Sequence, residues 1–155
     1  MTAKSPEVRT AIFPGSFDPF TRGHMDIVER GLKIFDRIVI AVGINSAKKG
    51  GTPASERVQD IRNAVKALAG VEVTEYSGLT VDAAKNCGAC AILRGIRSVA
   101  DFEYERNLAD LNRAISGIDT VMLCADPALA AVSSSAVREL RSYGHDVSRF
   151  LPDND

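Results

Sequence analysis

Groups suited to binding phosphate recur at four places in this 155-residue sequence. Ser16 and His24 lie in Pro14-Gly15-Ser16-Phe17-Asp18-Pro19-Phe20-Thr21-Arg22-Gly23-His24; Lys48 and Lys49 stand before Gly50-Gly51; Arg94 and Arg97 flank Gly95-Ile96; and Ser133, Ser134 and Ser135 precede Arg138. The first segment follows Ala11-Ile12-Phe13 and leads into a helical pattern, so it reads as strand, tight turn, helix, with His24 at the helix start. A helix N-terminus presents unpaired N–H groups and a positive dipole end, which suits a phosphate. The segment matches neither G-x-x-x-x-G-K-[ST] nor G-x-G-x-x-G. Together the four places supply hydroxyls, an imidazole, lysines and guanidinium groups, the set suited to transfer at a phosphorus centre, where positioning and charge stabilisation dominate. No carboxylate pair at metal spacing accompanies them, and no Ser or Cys is matched with a general base. A phosphate nucleophile is already anionic at neutral pH and needs no base, so the pattern points to one phosphate attacking another.

Taken singly, each place has an ordinary reading. A histidine at a helix start can be a cap, and a serine run before a helix is a default capping sequence. Two lysines in a glycine-rich loop can be a solvated charge pair, and two arginines can form surface ion pairs. It is the convergence of four such loops that carries the functional reading. His145, the other histidine, lies in a polar tail and is given no role.

Convergence requires elements that bring the loops to one edge. Val8 to Phe13 reads as a first strand, and His24 to Phe35 as a helix with Met25, Val28, Leu32 and Phe35 on one face. Ile38 to Val42 is a β-branched buried strand. Thr52 is placed to cap a helix with Pro53 at its first position, Val58, Ile61, Val65 and Leu68 on its inner face and Gly70 as its stop. Strand Val71 to Tyr76, helix Val81 to Cys87 and strand Ala91 to Leu93 follow. Helix Asp101 to Ser116 is expected to turn Tyr104, Leu108, Leu111 and Ile115 inward. Asp119 to Cys124 is the last strand, Ser134 to Tyr143 the last helix, ended by Gly144, and 145–155 a short, partly loose tail. The expected fold is α/β: one Rossmann-like domain over 1–155, a five-stranded, mainly parallel sheet with helices on both faces. Ligands of such sheets bind outside the carboxyl ends of the strands, which gathers the loops after strands one, two, four and five.

Composition narrows the classes. Nineteen basic against twenty acidic residues give a net charge of −1, which argues against nucleic-acid binding through a basic face. No apolar run approaches the ~20 residues that span a bilayer, and the first residues lack an apolar signal region, so neither a membrane nor export is expected. Cys87 and Cys90 have C-x-x-C spacing, but with no second ligand pair and at a helix end of the wrong polarity they read as packing residues. Reduced thiols fit the cytoplasm.

The segment Pro14 to Pro19, Thr21-Arg22-Gly23-His24 in place of H-x-G-H, Arg94-Gly95-Ile96-Arg97, Ala100-Asp101-Phe102-Glu103-Tyr104-Glu105, Val132 to Ser135 and Phe150-Leu151-Pro152 together resemble the phosphopantetheine adenylyltransferases of the nucleotidyltransferase superfamily. The resemblance runs nearly the whole chain, in order. It implies that ATP and 4′-phosphopantetheine give dephospho-coenzyme A and pyrophosphate, by direct in-line attack of the pantetheine phosphate on the α-phosphorus. It implies catalytic roles for His24, Ser16, Lys48 and Arg97, with His24 holding the ATP phosphates in the transition state. Lys48 and Arg94 would grip the pantetheine phosphate, with Ser16 between the two substrates, and Thr80, Leu108 and Asn112 would lie near the pantetheine arm. Phe17, Gly95, Ile96, Glu105, Leu129, Ala130, Ala131 and Val132 would line the nucleotide site, and Ser133, Ser134 and Ser135 would meet its phosphates. The resemblance further implies Mg²⁺ carried by ATP with no metal site of protein ligands, a homohexamer, and inhibition by coenzyme A.

Three departures stand out. Ala125 to Ala131 lacks the aromatic residues this family often places beside adenine, Gly50-Gly51 replaces a bulkier apolar pair, and the sequence stops at Asp155 where relatives usually continue into a helix. The rival readings are a sister enzyme taking nicotinate mononucleotide or glycerol phosphate, and a non-catalytic nucleotide sensor on the same fold. Arg94 to Arg97 followed by Asp101 to Glu105 weighs against the first, and the intact Ser16, His24, Lys48 and Arg97 set against the second.

Overall fold

The runs of β-branched and small residues do form strands. In a computed structural model that describes residues 7–45 and 51–153, five strands pair in the order β3-β2-β1-β4-β5: β1 Thr10–Gly15, β2 Arg37–Gly43, β3 Val71–Tyr76, β4 Ala91–Ile96 and β5 Asp119–Cys124. Every pairing is parallel, with Ile12 opposite Val39 and Ile92, and Leu93 opposite Val121. Parallel strands need crossovers, and four helices supply them: α1 Arg22–Gly31, α2 Ala54–Val65, α3 Thr80–Asn86 and α4 Val99–Ser116; a further helix, α5 Ser134–Ser142, follows the last strand. Alternation along the strands separates two cores. Ala11, Phe13, Ile38, Ile40 and Leu93 pack with Ile27, Val28, Val58 and Ile61 of α1 and α2. Ile12, Ala41 and Ile92 pack with Val81 and Ala84 of α3 on the other face. Helices therefore cover both faces, as expected.

Two glycines permit close approach. A Cβ at Gly31 would lie 2.8 Å from both Ile38 Cδ1 and Leu93 Cδ2, so glycine lets α1 end on the sheet without displacing these two side-chain tips. Gly70, at φ +83, turns the chain beside the Asp36 carbonyl and accepts from Ile38 N–H at 2.8 Å as β3 begins.

Several expected boundaries move, for physical reasons. β1 runs Thr10–Gly15, leaving Val8 63% exposed outside it. β4 extends through Ile96, so Arg94 and Gly95 belong to the strand and not to the loop after it. α1 starts at Arg22 because Thr21 caps it, and it ends at Gly31 before Phe35. Thr52 does not cap α2: Pro53 is the N-cap residue, and the Thr52 N–H donates to Asp18 Oδ2 at 3.1 Å. The largest correction concerns α4. Tyr104, Leu111 and Ile115 are 60–64% exposed and Leu108 is 38% exposed; the α4 residue that turns inward is Glu105, which pairs with a cation on the sheet. The tail is partly ordered: Ser148–Phe150 form a 3-10 turn and Val147 is buried.

Candidate active site

The sheet order reverses between β1 and β4, and a cavity of about 370 Å³ opens there at the carboxyl edge. The turn after β1 lines it with Ser16, Phe17 and His24, the end of β4 with Gly95 and Arg97, and the chain after β5 with Leu129, Val132 and Ser133 to Ser135. Three of the four expected loops thus converge. Lys48, with its neighbours at 46–50, lies outside the described residues.

His24 sits on α1 where the helix needs a cap. Thr21 N–H donates to His24 Nδ1 at 3.0 Å, and His24 N–H donates to Thr21 Oγ1 at 3.4 Å, a reciprocal capping box. With Nδ1 accepting, the neutral ring carries its hydrogen on Nε2. The ring stacks on Phe20, with centroids 5.5 Å apart, and meets the edge of Phe17 at 5.0 Å. Loss of hydration in this half-buried, phenyl-walled position, then the positive charges of Arg94 and Arg97, push its pKa down from 6.5 to about 3. His24 is a neutral hydrogen-bond donor at physiological pH, with geometry fixed by the helix it caps. A histidine whose folded pKa is depressed contributes stability that is complete above 6.5 and is lost as pH falls toward 3, because the unfolded chain takes the proton first. The urea midpoint is therefore expected to fall across that window, and to fall less steeply in His24→Asn. Parallel curves for the two proteins would contradict the assignment.

Side chains from α2 and α5 hold three carbonyls of the turn after β1. Ser134 Oγ donates to Pro19 O at 2.7 Å, Arg138 Nη1 to Asp18 O at 2.7 Å, and Arg57 Nη1 to Ser16 O at 2.5 Å. Phe17 occupies the left-handed region at φ 50, uncommon for a bulky residue, with its ring buried against Phe13, Phe20 and His24. The α1 start passes beside Val132; a Cβ on Gly23 would lie 3.4 Å from the Val132 carbonyl oxygen, an ordinary contact distance.

Arg94 is half-buried on β4, and its fork is largely committed. Nε and Nη2 donate to Glu105 at 2.8 and 2.6 Å, a bidentate pair, and Nη1 donates to Pro14 O at 2.5 Å. Arg97 is more exposed; its backbone N–H donates to Asp101 Oδ2 at 3.1 Å, and its side chain approaches the same oxygen at 3.5 Å. A second cavity, about 170 Å³, lies on the other side of Arg94. Thr80, Leu108 and Asn112 line it, as does Glu105, which the sequence reading placed with the nucleotide. Ile96, Ala130 and Ala131 line neither cavity; Ile96 O instead accepts from Ala125 N–H at 2.8 Å. The sequence reading gave no role to Thr21, Arg57 or Arg138: Arg57 and Arg138 act on backbone groups far along the chain and leave no spacing signature, whereas the cap at Thr21 is local and the T-x-x-H pattern could have shown it. Among the described residues no three His, Cys, Asp or Glu side chains gather to hold a metal. The hydroxyl and guanidinium groups that line the cavity are donors suited to phosphate oxygens.

Comparison with known proteins agrees with this geometry. The cytidylyltransferase-like family model matches residues 12–140. A phosphopantetheine adenylyltransferase of Porphyromonas gingivalis is 58% identical over 143 residues, covering 92% of this chain and 94% of the relative. One from Bacteroides thetaiotaomicron is 48% identical over 146 residues, covering 94% and 97%. A crystal structure of a bifunctional NMN adenylyltransferase/ADP ribose pyrophosphatase from Francisella tularensis, complexed with AMP and a manganese ion, superposes with a TM-score of 0.65 at 15% identity, over 96% of this chain and 46% of that one. That likeness is one of fold. The capped histidine, the R-G-I-R strand end and the long alignments with curated relatives agree, and the chain belongs to the phosphopantetheine adenylyltransferases, within the cytidylyltransferase-like family.

Proposed function

We propose that this chain transfers the adenylyl group of ATP to 4′-phosphopantetheine, giving dephospho-coenzyme A and pyrophosphate in coenzyme A biosynthesis. The observation that carries the reading is that the two cavities meet: Pro14, Gly15 and Arg94 line both. The larger takes ATP, with its phosphates near His24, Arg97 and Ser133 to Ser135. The smaller takes the pantetheine arm along Thr80, Leu108 and Asn112. The acceptor phosphate stands at the shared edge by Arg94 and Ser16, with Lys48 as a further grip.

An oxygen of the acceptor phosphate forms a bond to the α-phosphorus, and the bond from that phosphorus to pyrophosphate breaks. The nucleophile is an anion, so no proton must be removed. His24, neutral and oriented through Nδ1, donates from Nε2 to the phosphoryl oxygens as charge redistributes. Arg97 and the N–H groups at the α5 start carry the leaving pyrophosphate. Mg²⁺ bound to the nucleotide supplies further charge neutralisation. On the same reading the unit is a single nucleotidyltransferase domain over 1–155 that works in the cytoplasm as a homohexamer, with coenzyme A as a feedback inhibitor. The exposed apolar stripe of α4, with Leu111 63% and Ile115 60% exposed, supports association.

The test supplies α-labelled ATP with 4′-phosphopantetheine, nicotinate mononucleotide or glycerol phosphate in turn. Pyrophosphate release and labelled dephospho-coenzyme A are expected with the first alone. Turnover only with nicotinate mononucleotide, or ATP binding with no pyrophosphate released, would overturn the reading.

A further inference from the structure

Arg57 belongs to no motif and lines neither cavity of the proposed site, yet its guanidinium joins three separate stretches of backbone. It stands in the first turn of α2, half-buried. Nε donates to Thr52 O at 2.9 Å, and Nη1 donates both to Ser16 O at 2.5 Å and to Gly43 O at 3.2 Å. Gly43 ends β2, Ser16 opens the turn that carries His24, and Thr52 immediately follows the lysine-bearing segment in sequence. α2 has no side-chain cap of its own, so Arg57 also ties the approach to that helix. A second link runs parallel to it, from the Thr52 N–H to Asp18 Oδ2 at 3.1 Å.

We infer that Arg57 is a positioning residue for adenylyl transfer: it fixes the Ser16 backbone, and through Thr52 sets the turn after β1 and the chain after β2 in one register. The inference rests on the proposed reading in one respect, that Ser16 lies between the two substrates. The three carbonyls are met by N–H groups on two nitrogens of one planar cation, Nε on one side and Nη1 on the other. A lysine keeps the charge but delivers its donors from a single point. Next to Ser16, Phe17 holds an uncommon backbone conformation that persists only while its surroundings over-determine it. The Ser16 carbonyl is the peptide oxygen directly before Phe17, so its bond to Arg57 restrains that residue from the outside while the phenyl ring is packed from the inside.

Two measurements on full-length Arg57→Lys and Arg57→Met test this. The first is amide hydrogen exchange in the free protein, which needs no substrate. Faster exchange confined to the amides of residues 16–18, 20 and 52, with protection of β1 and β4 unchanged, is expected in both variants. Wild-type protection there, or a uniform loss across the sheet, would overturn the inference. The second is steady-state kinetics with ATP and 4′-phosphopantetheine. A loss of about 10²-fold in kcat is expected, as when a distant change misplaces reacting groups, with both KM values near those of the wild type. Wild-type kcat in Arg57→Lys, or a loss confined to KM, would overturn it. If the wild type is inactive with 4′-phosphopantetheine while the two variants show the localised exchange change, the result would count against the proposed substrate and not against Arg57 as the residue that fixes this turn.

Discussion

His24→Ala is expected to lower kcat by about 10²–10³-fold, the cost of removing one donor from a charge-stabilising site. Its KM values for ATP and acceptor should move far less. The imidazole is neutral, so it adds little to ground-state attraction for an already charged triphosphate, and it gains most as charge shifts onto oxygens at the attacked phosphorus. The substitution also removes the Nδ1 acceptor from Thr21 N–H, which loosens the first turn of α1 by about 1 kcal/mol, the usual worth of a cap. His24→Asn separates these effects: an amide oxygen can accept from Thr21, but no N–H reaches the place of Nε2. Stability near wild type with kcat still depressed is the expected result. Equal losses in kcat and in ATP affinity for His24→Ala would mean that the ring contributes ground-state binding alone.

The second large effect is expected at Arg94. Glu105 retains only 8% side-chain exposure and Arg94 29%. Arg94→Ala would leave a buried carboxylate without its partner and the Pro14 carbonyl without its donor, a destabilisation of about 3–5 kcal/mol. Binding of 4′-phosphopantetheine should weaken as well, since the guanidinium stands at the edge both cavities share. The double variant Arg94→Met, Glu105→Leu replaces the pair by apolar groups of similar size. It should recover most of the urea midpoint while acceptor affinity stays low. If the double variant regained acceptor affinity together with stability, Arg94 would be a purely structural residue.

Much of the fold was legible because parallel strands buried on both faces are written as continuous apolar runs. That holds for β2, whereas β3 shows as an alternating segment; β3 and β5 span the residues expected of them, Val71–Tyr76 and Asp119–Cys124. β4 read three residues short because Arg94 and Gly95 interrupt its apolar run; those interruptions are where the strand end serves the site. The α4 stripe misled for the opposite reason. Spacing identifies one apolar face but not what it meets, and here the sheet receives Glu105 while Tyr104, Leu111 and Ile115 stay exposed. The candidate site was legible where a residue's type declares its chemistry, as with Ser16, His24, Arg97 and the serines at the α5 start. Bonds from Arg57, Arg138 and Ser134 to carbonyls 41, 120 and 115 residues away leave no local trace.

The carbonyls of Ser16, Asp18 and Pro19 are each bonded to a different side chain before any ligand arrives. The turn has therefore given up its conformational entropy during folding. ATP meets a surface that it need not organise, and the loss of chain freedom that usually opposes binding to a loop is small here. In a calorimeter, removing any one of these anchors would appear as a more unfavourable binding entropy, even where the contacts in the final complex are unchanged.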